Sequence, residues 1–195
     1  MGSRFKGIAG VPRLPGKAAK RRSLDLVRVH AAAGDRRRGW LVAGGLAVPV
    51  ALGRGGIKAN KREGDGATPG GRFRLRRLWW RPDRGSRPPT LLPTRRIRAD
   101  DAWCEDPADR RYNRAFRLSP RAAGDRLWRQ DRLYDLIIEI DHNTRPRIAG
   151  RGSAVFIHVA RSGLAPTAGC IGLSAAALRR LLARTGPRTE MSVHF

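Results

Sequence analysis

Hydrophobic and polar residues alternate along several short segments of the chain. Successive side chains of a β-strand point to opposite faces, so this alternation predicts strands with one buried face. Gly34-Asp35 and Gly44-Gly45 separate the first of these segments and are typical turn formers. The alternating or continuously apolar segments lie at 24–29, 40–42, 46–50, 72–76 and 134–140. Short strands joined by turns predict a mainly β protein.

Apolar residues at a helical spacing follow Ser174, which is a favourable N-cap residue. They predict a helix from about Ser174 to Thr185, ended by Gly186-Pro187, and a last strand follows over 191–195. A weaker helical spacing predicts a second, short helix within 120–132. The expected fold is therefore mainly β, a mixed β-sandwich or partly closed barrel with a C-terminal helix before the last strand.

The chain is strongly basic, with 41 Lys and Arg against 16 Asp and Glu and a formal net charge of +25. Lysine occurs at five positions, so 36 of the basic residues are arginine. Such an excess indicates affinity for nucleic acid or for another anionic polymer such as bacterial wall material, or else an arginine-biased genome. The basic residues are scattered, and neither an aromatic-interleaved RNA motif nor a recognition helix stands out. We therefore expect no specific nucleic-acid partner.

Residues 1–23 contain few apolar positions and include the charge run Lys17–Arg22. They predict a basic, flexible N-terminal tail, followed by one domain over residues 24–195. No signal peptide is visible, because the tail lacks the apolar stretch that such a peptide needs. No window approaches the roughly 18 apolar residues of a membrane helix, so no membrane span is expected. The oligomeric state is left undetermined.

The candidate catalytic residues lie between Phe156 and Leu173. An apolar run leads to His158, a loop of turn formers follows, and Gly169-Cys170 precedes a second apolar pair. Two neighbouring strands would bring the imidazole and the thiol together, which is the minimum equipment for covalent acyl transfer. Gly169 leaves room for a close approach to the substrate, and the N–H groups of Gly169 and Cys170 form the candidate oxyanion hole. The alternative is a buried thiol and a hydrogen-bonded histidine without chemistry.

The segment Thr167-Ala-Gly-Cys-Ile-Gly-Leu173, with His158 ahead of it, resembles the signature of the L,D-transpeptidase (YkuD-type) catalytic domain. The block Lys61–Phe73, which contains Thr-Pro-Gly-Gly-Arg-Phe, resembles a second segment of that family. The resemblance covers about the whole expected domain. It departs from the family pattern at Ala168, where a second histidine is usual, and at Gly172, where Arg or Asn is usual.

The resemblance implies an acyltransferase with Cys170 as nucleophile and His158 as general base and acid. The implied substrate is a peptidoglycan tetrapeptide stem. The thiolate attacks the carbonyl of its third, diamino-acid residue, the terminal D-alanine leaves, and an amine of a second stem resolves the acyl-enzyme into a cross-link. No metal and no organic cofactor is implied. Thr68, His142 and Thr167 are candidate substrate-binding residues, with His142 as a replacement for the histidine missing at position 168.

The same resemblance implies a bacterial protein of the periplasm or cell wall, with a role in cell-wall biogenesis and cell shape. Three alternatives remain open. Water instead of an amine would make the protein an L,D-carboxypeptidase or amidase. An inactive Cys–His loop would leave a basic binding module for nucleic acid or an anionic wall polymer. A different acyl site would give a cysteine hydrolase of ordinary L-peptides.

Several other residues have simpler explanations. Cys104 is expected to be a buried structural thiol, because a disulfide with Cys170 would block the nucleophile. Glu63 and Asp65 are expected to be loop charges paired with nearby arginines. The tryptophans of the middle section either pack in the core or, together with the acidic segment 100–107, form a wall of the substrate groove.

Overall fold

The computed structural model describes residues 23–119 and 122–195. Almost all of the predicted tail, residues 1–23, lies outside the described residues, so the division of the chain at residue 24 stays a prediction. Strands make up 39% of the structure and helix 6%, which confirms the expected mainly β class.

The elements follow the alternating and helical patterns of the sequence. Every segment predicted as a strand overlaps a strand of the structure, and the helix begins after Ser174 as predicted. A short 3-10 turn lies at Ser162–Leu164. In chain order the elements are β1 (Leu26–Ala32), β2 (Asp35–Ala43), β3 (Leu46–Ala51), β4 (Ile57–Lys58), β5 (Thr68–Pro69), β6 (Gly71–Trp80), β7 (Thr94–Arg96), β8 (Asp101–Trp103), β9 (Ala115–Arg117), β10 (Asp125–Arg126), β11 (Leu136–Ile140), β12 (Phe156–Val159), β13 (Ile171–Leu173), α1 (Ala175–Leu182) and β14 (Glu190–His194).

Within the described part of the chain, eight strands close into a barrel. Their order is β11-β12-β13-β3-β2-β1-β14-β6, and β6 pairs back to β11, while β7 adds a further strand at β6. The pairs β1–β14 and β12–β13 are parallel, and the other neighbours around the barrel are antiparallel. This mixed barrel confirms the predicted architecture.

The inward-facing side chains of the barrel and one face of α1 form a common hydrophobic core. Ser174 caps the helix by accepting a hydrogen bond from the N–H of Ala177 at 3.2 Å. The helix ends earlier than predicted, where Thr185 donates both its N–H and its hydroxyl to the Leu182 carbonyl in a tighter turn. The buried residues of α1 are Ala177, Leu178, Leu181 and Leu182.

A second, smaller hydrophobic cluster lies outside the barrel, on side chains of β6, β11 and β12. A three-stranded sheet in the order β10-β8-β9 packs against it through Trp103. The Trp103 ring lies edge-on to Phe156, with ring centroids 4.9 Å apart, and also contacts Trp79. Because Trp79 and Trp103 are buried, they belong to the packing of the protein and present no face to a ligand.

The prediction of a short helix within 120–132 is wrong for the described residues 122–132. This segment forms β10 and bends, and β10 pairs with β8. A Cβ atom at Gly124 would lie 2.8 Å from the carbonyl oxygen of Trp103, so the chain runs close against the small sheet. Packing on that sheet therefore overrides the helical spacing of the apolar residues.

Candidate active site

The pairing of β12 with β13 places His158 and Cys170 on one face of the barrel wall. Ile157 lies opposite Ile171, and both side chains belong to the barrel core. Since side chains alternate along strands, His158 and Cys170, one residue to either side, point outwards. Both line a cavity of about 490 Å³. The structure therefore brings together the two residues that the sequence predicted as a catalytic pair.

The wall of this cavity is charged with both signs. Three carboxylates and four cationic side chains line it, together with Tyr134, Ser153 and the loop Ala165–Cys170. Most of these charged residues come from the loop before β5 and from the middle section that carries the small sheet. The charged lining residues are Arg54, Lys61, Glu63, Glu105, Asp125, Arg129 and Arg161.

Cys170 is a buried, protonated thiol. Its side chain donates to the Ala154 carbonyl at 3.1 Å and accepts from the N–H of Phe156 at 3.3 Å. Burial raises the pKa of the Cys170 thiol to about 12, and the nearby carboxylates of Asp125 and Glu105 act in the same direction. Within the described residues, His158 is not among the hydrogen-bond partners of the thiol.

His158 is a neutral imidazole in a fixed orientation. Its Nδ1 donates to the Val159 carbonyl at 2.8 Å, since a carbonyl can only accept, and this leaves Nε2 as the acceptor. The ring lies edge-on to Tyr134, with centroids 5.5 Å apart. Burial lowers the pKa of His158 to about 4, with Arg129 nearby adding to the effect. At neutral pH the site therefore holds a neutral base beside a neutral thiol.

The position of the thiol depends on Asn113, a residue whose role the sequence did not reveal. Ala154, whose carbonyl accepts the thiol proton, has a φ of +50°, which is unusual for a residue with a side chain. The Asn113 side-chain oxygen accepts from the N–H of Ala154 at 3.3 Å and from Trp103 Nε1 at 2.9 Å. Asn113 Nδ2 also donates to the carbonyls of two residues beyond β11. These bonds hold the backbone against which Cys170 packs.

The loop over residues 165–170, which carries Cys170, is held by Thr167. Its hydroxyl donates to the Cys170 carbonyl at 2.6 Å and accepts from the N–H of Gly169 at 3.1 Å. Its main chain bonds to the carbonyl of Leu52 and the N–H of Arg54, each at 2.9 Å. Thr167 lines the cavity, and it also fixes the loop on the end of β3.

Contacts within the protein require a glycine at position 169. Its φ is +140°, and a Cβ atom there would lie 2.8 Å from the Ala67 carbonyl oxygen. Gly169 was predicted to leave room for a substrate, but its close neighbour in the structure is the loop before β5. Its N–H is engaged by Thr167, whereas the N–H of Cys170 has no acceptor within residues 23–119 and 122–195.

Thr68 and His142 do not line the cavity. Thr68 is fully buried, accepts from the N–H of Gly53 at 2.8 Å and donates over 3.5 Å to the Cys170 carbonyl. His142 contacts the carbonyl of Arg151 through Nε2 at 3.0 Å and packs edge-on against Phe73. Thr68 therefore lies behind the loop that carries Cys170, and the ring of His142 lies outside the cavity lining, so substrate binding by either residue stays a prediction.

The prediction that Glu63 and Asp65 pair with arginines is wrong. Glu63 accepts from the hydroxyls of Tyr112 and Ser153, and Asp65 pairs with Lys61 at 2.8 Å. Although burial opposes it, hydrogen bonds from Lys61 and two backbone N–H groups lower the pKa of Asp65 to about 2. The buried Lys61 side chain lies beside Gly169, so this ion pair stabilises the loop that faces the nucleophile.

Both cysteines are free, so Cys104 is a buried thiol as predicted and forms no disulfide with Cys170. The described part of the chain contains no helix long and apolar enough to span a membrane. Among the same residues, no group of three or more His, Cys, Asp or Glu side chains is arranged to hold a metal ion.

The described residues thus form a closed β-barrel that presents a cysteine and a histidine to one cavity. A profile of the L,D-transpeptidase catalytic domain (YkuD) matches residues 27–193, which is most of the chain. The chain belongs to this family, whose members act on peptidoglycan and are typically extracytoplasmic. No protein with a curated description and no solved structure matches the chain significantly.

Proposed function

We propose that the protein is a cysteine-dependent L,D-transpeptidase that acts on peptidoglycan tetrapeptide stems. The observation that supports this most is the joint position of Cys170 and His158 on one face of a family barrel, in one cavity. A thiol and an imidazole in such an arrangement are the groups that covalent acyl transfer requires. The domain over residues 24–195 is in this proposal the catalytic unit.

The reaction begins from the neutral pair. The S–H of Cys170 turns from the Ala154 carbonyl to Nε2 of His158, and the proton moves to the imidazole as sulfur attacks the carbonyl carbon of the diamino-acid residue. The N–H groups of Cys170 and Gly169 face the oxyanion, and that of Gly169 shares its bond with Thr167. When the C–N bond breaks, His158 returns the proton to the leaving D-alanine, and an acyl-enzyme remains.

An amine from a second stem then attacks the thioester. His158 takes the proton of the amine, a peptide bond forms, and the proton returns to the departing Cys170 sulfur. Water in place of the amine would give the carboxypeptidase or amidase outcome. These steps need no metal and no organic cofactor. The expected setting is the periplasm or cell wall, in cross-linking or remodelling of peptidoglycan.

The decisive experiment is intact-mass analysis after incubation with a carbapenem, a β-lactam that acylates the cysteine of this family. We expect one covalent adduct on the wild type and on Cys104→Ala, and none on Cys170→Ala. Release of D-alanine from a tetrapeptide should follow the same pattern. An unmodified wild-type protein that also lacks turnover would contradict the proposal and favour a basic binding module with an inactive loop.

A further inference from the structure

A second cavity, of about 640 Å³, lies next to the one that contains Cys170 and His158. Arg161 lines both cavities, so they adjoin just beyond the end of β12. Five arginines and two aspartates line the second cavity, which we call the arginine cavity. Its charged lining residues are Arg81, Arg84, Arg132, Arg161, Arg179, Asp131 and Asp135.

Some of these charges are already compensated within the protein. The buried Arg81 guanidinium donates to both carboxylate oxygens of Asp83, at 2.8 and 2.7 Å. Asp131 accepts from Arg129 at 2.5 Å, and this bond is the main cause that lowers the pKa of Asp131. Arg84 contacts Asp83 more loosely, at 3.7 Å. Arg81 and Asp131 therefore need no further partner.

Three arginines of the cavity are not compensated in this way. Arg132, Arg161 and Arg179 come from three separate segments, and none forms an ion pair within the part of the chain that the structure describes. The carboxylates that share the cavity with them are Asp131, which already has a partner, and Asp135, whose pKa is raised by burial. The arginine cavity therefore keeps an excess of positive charge.

Two unpartnered atoms give an independent indication of a ligand. Asp135 Oδ1 and Arg84 Nε are buried without a hydrogen-bond partner among the described residues, and both side chains line the cavity. The Arg84 guanidinium is held through Nη2, which donates to the side-chain oxygen of Gln130 at 2.9 Å. Buried polar atoms without a partner are rare. An acceptor and a donor left free at one cavity therefore indicate a ligand that offers both.

Arg179 is positioned at the cavity before any ligand binds. Its Nη1 donates to the Ser86 carbonyl in a long bond of 3.4 Å. Gly85 lies against its Nη2, so that a Cβ atom at this position would come within 3.3 Å of that nitrogen. Because these contacts restrict the guanidinium, it loses little further freedom when it binds an anion.

The lining favours a phosphate over a carboxylate. One arginine fork satisfies a carboxylate, whereas a phosphate monoester has three acceptor oxygens and up to two negative charges. Its second pKa is about 6, so it can also retain a P–OH donor for the free oxygen of Asp135. The side chains of Trp80, Leu136 and Val159 complete the lining and offer apolar surface to an organic substituent.

We propose that the arginine cavity is a binding site for the phosphate group of an organic phosphate, with Arg132, Arg161 and Arg179 as its ligands. This site goes beyond the proposed transpeptidase reaction and does not depend on it. Since Arg161 lines both cavities, the bound phosphate lies beside the cavity of Cys170. The phosphate can belong to a small monoester or to a phosphodiester polymer, and the test distinguishes these sources.

The first measurement is calorimetric titration of the full chain with glycerol 3-phosphate at constant ionic strength. We expect saturable binding that Arg179→Gln and Arg132→Gln each weaken about tenfold, because each variant removes a charge-assisted hydrogen bond. Arg180→Gln is the matched control. It removes the same charge from the next position of α1, outside the cavity lining, and should bind like the wild type.

The control separates a site from the general attraction of anions to a protein with a net charge of +25. Equal weakening in Arg179→Gln and Arg180→Gln, with circular dichroism spectra like that of the wild type, would show that net charge alone holds the phosphate. That result would overturn the inference. A wild type without saturable binding would overturn it as well.

A second series compares four ligands on the wild type and on Arg179→Gln. The ligands are glycerol 3-phosphate, inorganic phosphate, dimethyl phosphate and acetate. Tightest binding of glycerol 3-phosphate assigns the site to a small monoester, and tightest binding of dimethyl phosphate assigns it to a phosphodiester polymer. Tightest binding of inorganic phosphate would overturn the assignment to an organic phosphate. Acetate that binds as tightly as the phosphates would overturn the choice of phosphate over carboxylate.

Failure of this inference and failure of the proposed function give different results. Cys170→Ala should bind glycerol 3-phosphate like the wild type, and Arg179→Gln should still form the carbapenem adduct. Phosphate binding without an adduct on the wild type supports the arginine cavity and contradicts the proposed function. An adduct without phosphate binding does the reverse.

Discussion

Cys104 and Cys170 are both buried free thiols, at 2% and 8% exposure, but they lie in differently built regions. Burial is the main cause that raises the pKa of each thiol. Cys104 follows β8, where its main chain is tied on both sides, by bonds to the Arg114 carbonyl and the Asn113 N–H. Cys170 instead precedes β13 and faces a cavity that it shares with His158.

The difference shows that a raised pKa does not distinguish a structural thiol from a nucleophile here. What distinguishes Cys170 is a neutral imidazole on the neighbouring strand and space for a substrate between its loop and the small sheet. Burial acts on both partners, raising the pKa of Cys170 and lowering that of His158, so neither is charged before the substrate arrives.

The largest expected effect comes from replacing the two cysteines in turn. Cys170→Ala should lower D-alanine release by at least about 10³-fold, because no other group forms the acyl-enzyme. Cys104→Ala should retain most of the activity and lose only packing stability. Turnover by both variants is compared at equal folded fraction, checked by circular dichroism. Equal losses in the two variants would contradict the distinction.

Removal of the base is expected to have the next largest effect. His158→Gln should lower kcat for acyl-enzyme formation by about 10²–10⁴-fold, because proton transfer from the thiol loses its acceptor. His142→Gln is the matched control, since His142 lies outside the cavity, and it should stay close to wild-type activity. Single-turnover kinetics with a chromogenic β-lactam would measure both. A loss in His142→Gln as large as in His158→Gln would place the base elsewhere.

The pH dependence tests whether the pair is neutral. Because the pKa of His158 is lowered to about 4, the imidazole is protonated only below that pH, and kcat/KM should fall about tenfold per pH unit there. Because the pKa of Cys170 is raised to about 12, its alkylation by iodoacetamide should be slow at neutral pH and increase toward alkaline pH. Fast alkylation near pH 6 would reveal a thiolate–imidazolium pair instead.

The smallest of these effects is expected at Thr167. Thr167→Val removes the hydroxyl that bonds both Gly169 and Cys170, so kcat should fall about tenfold with a smaller change in KM. Thr167→Ser keeps the hydroxyl and should restore most of the rate. Steady-state kinetics on both variants measures the split. Equal rates in the Thr167→Val and Thr167→Ser variants would show that the hydroxyl does not position Cys170.

Much of the barrel and the joint position of His158 and Cys170 could be predicted from the sequence, because both depend on local signals. Alternation gave the strands, Ser174 marked the start of the helix, and the spacing of His158 and Cys170 fitted two adjacent strands. The acidic segment 100–107 was one of two alternatives for a wall of the groove, and of its residues Glu105 lines the cavity.

The rest of the site could not be predicted because it depends on contacts between distant segments. The positive φ of Ala154 is held by Asn113, 41 positions earlier, and nothing in the local sequence at either position indicates this. Gly169 is constrained by the carbonyl of Ala67. The helical spacing within 122–132 misled because the contact of Gly124 with the small sheet is likewise a tertiary one.

The parallel pairing of β1 with β14 has a consequence for biosynthesis. β1 gains this neighbour only after residues 190–194 have left the ribosome, and the loop of Cys170 rests on Thr68, 102 positions earlier. Contacts of such sequence separation form late in folding, so His158 and Cys170 reach their places on the closed barrel only once residues 190–194 are available. A nascent chain without residues 190–194 therefore lacks the closed barrel that holds the Cys170 thiol and the His158 imidazole on one face.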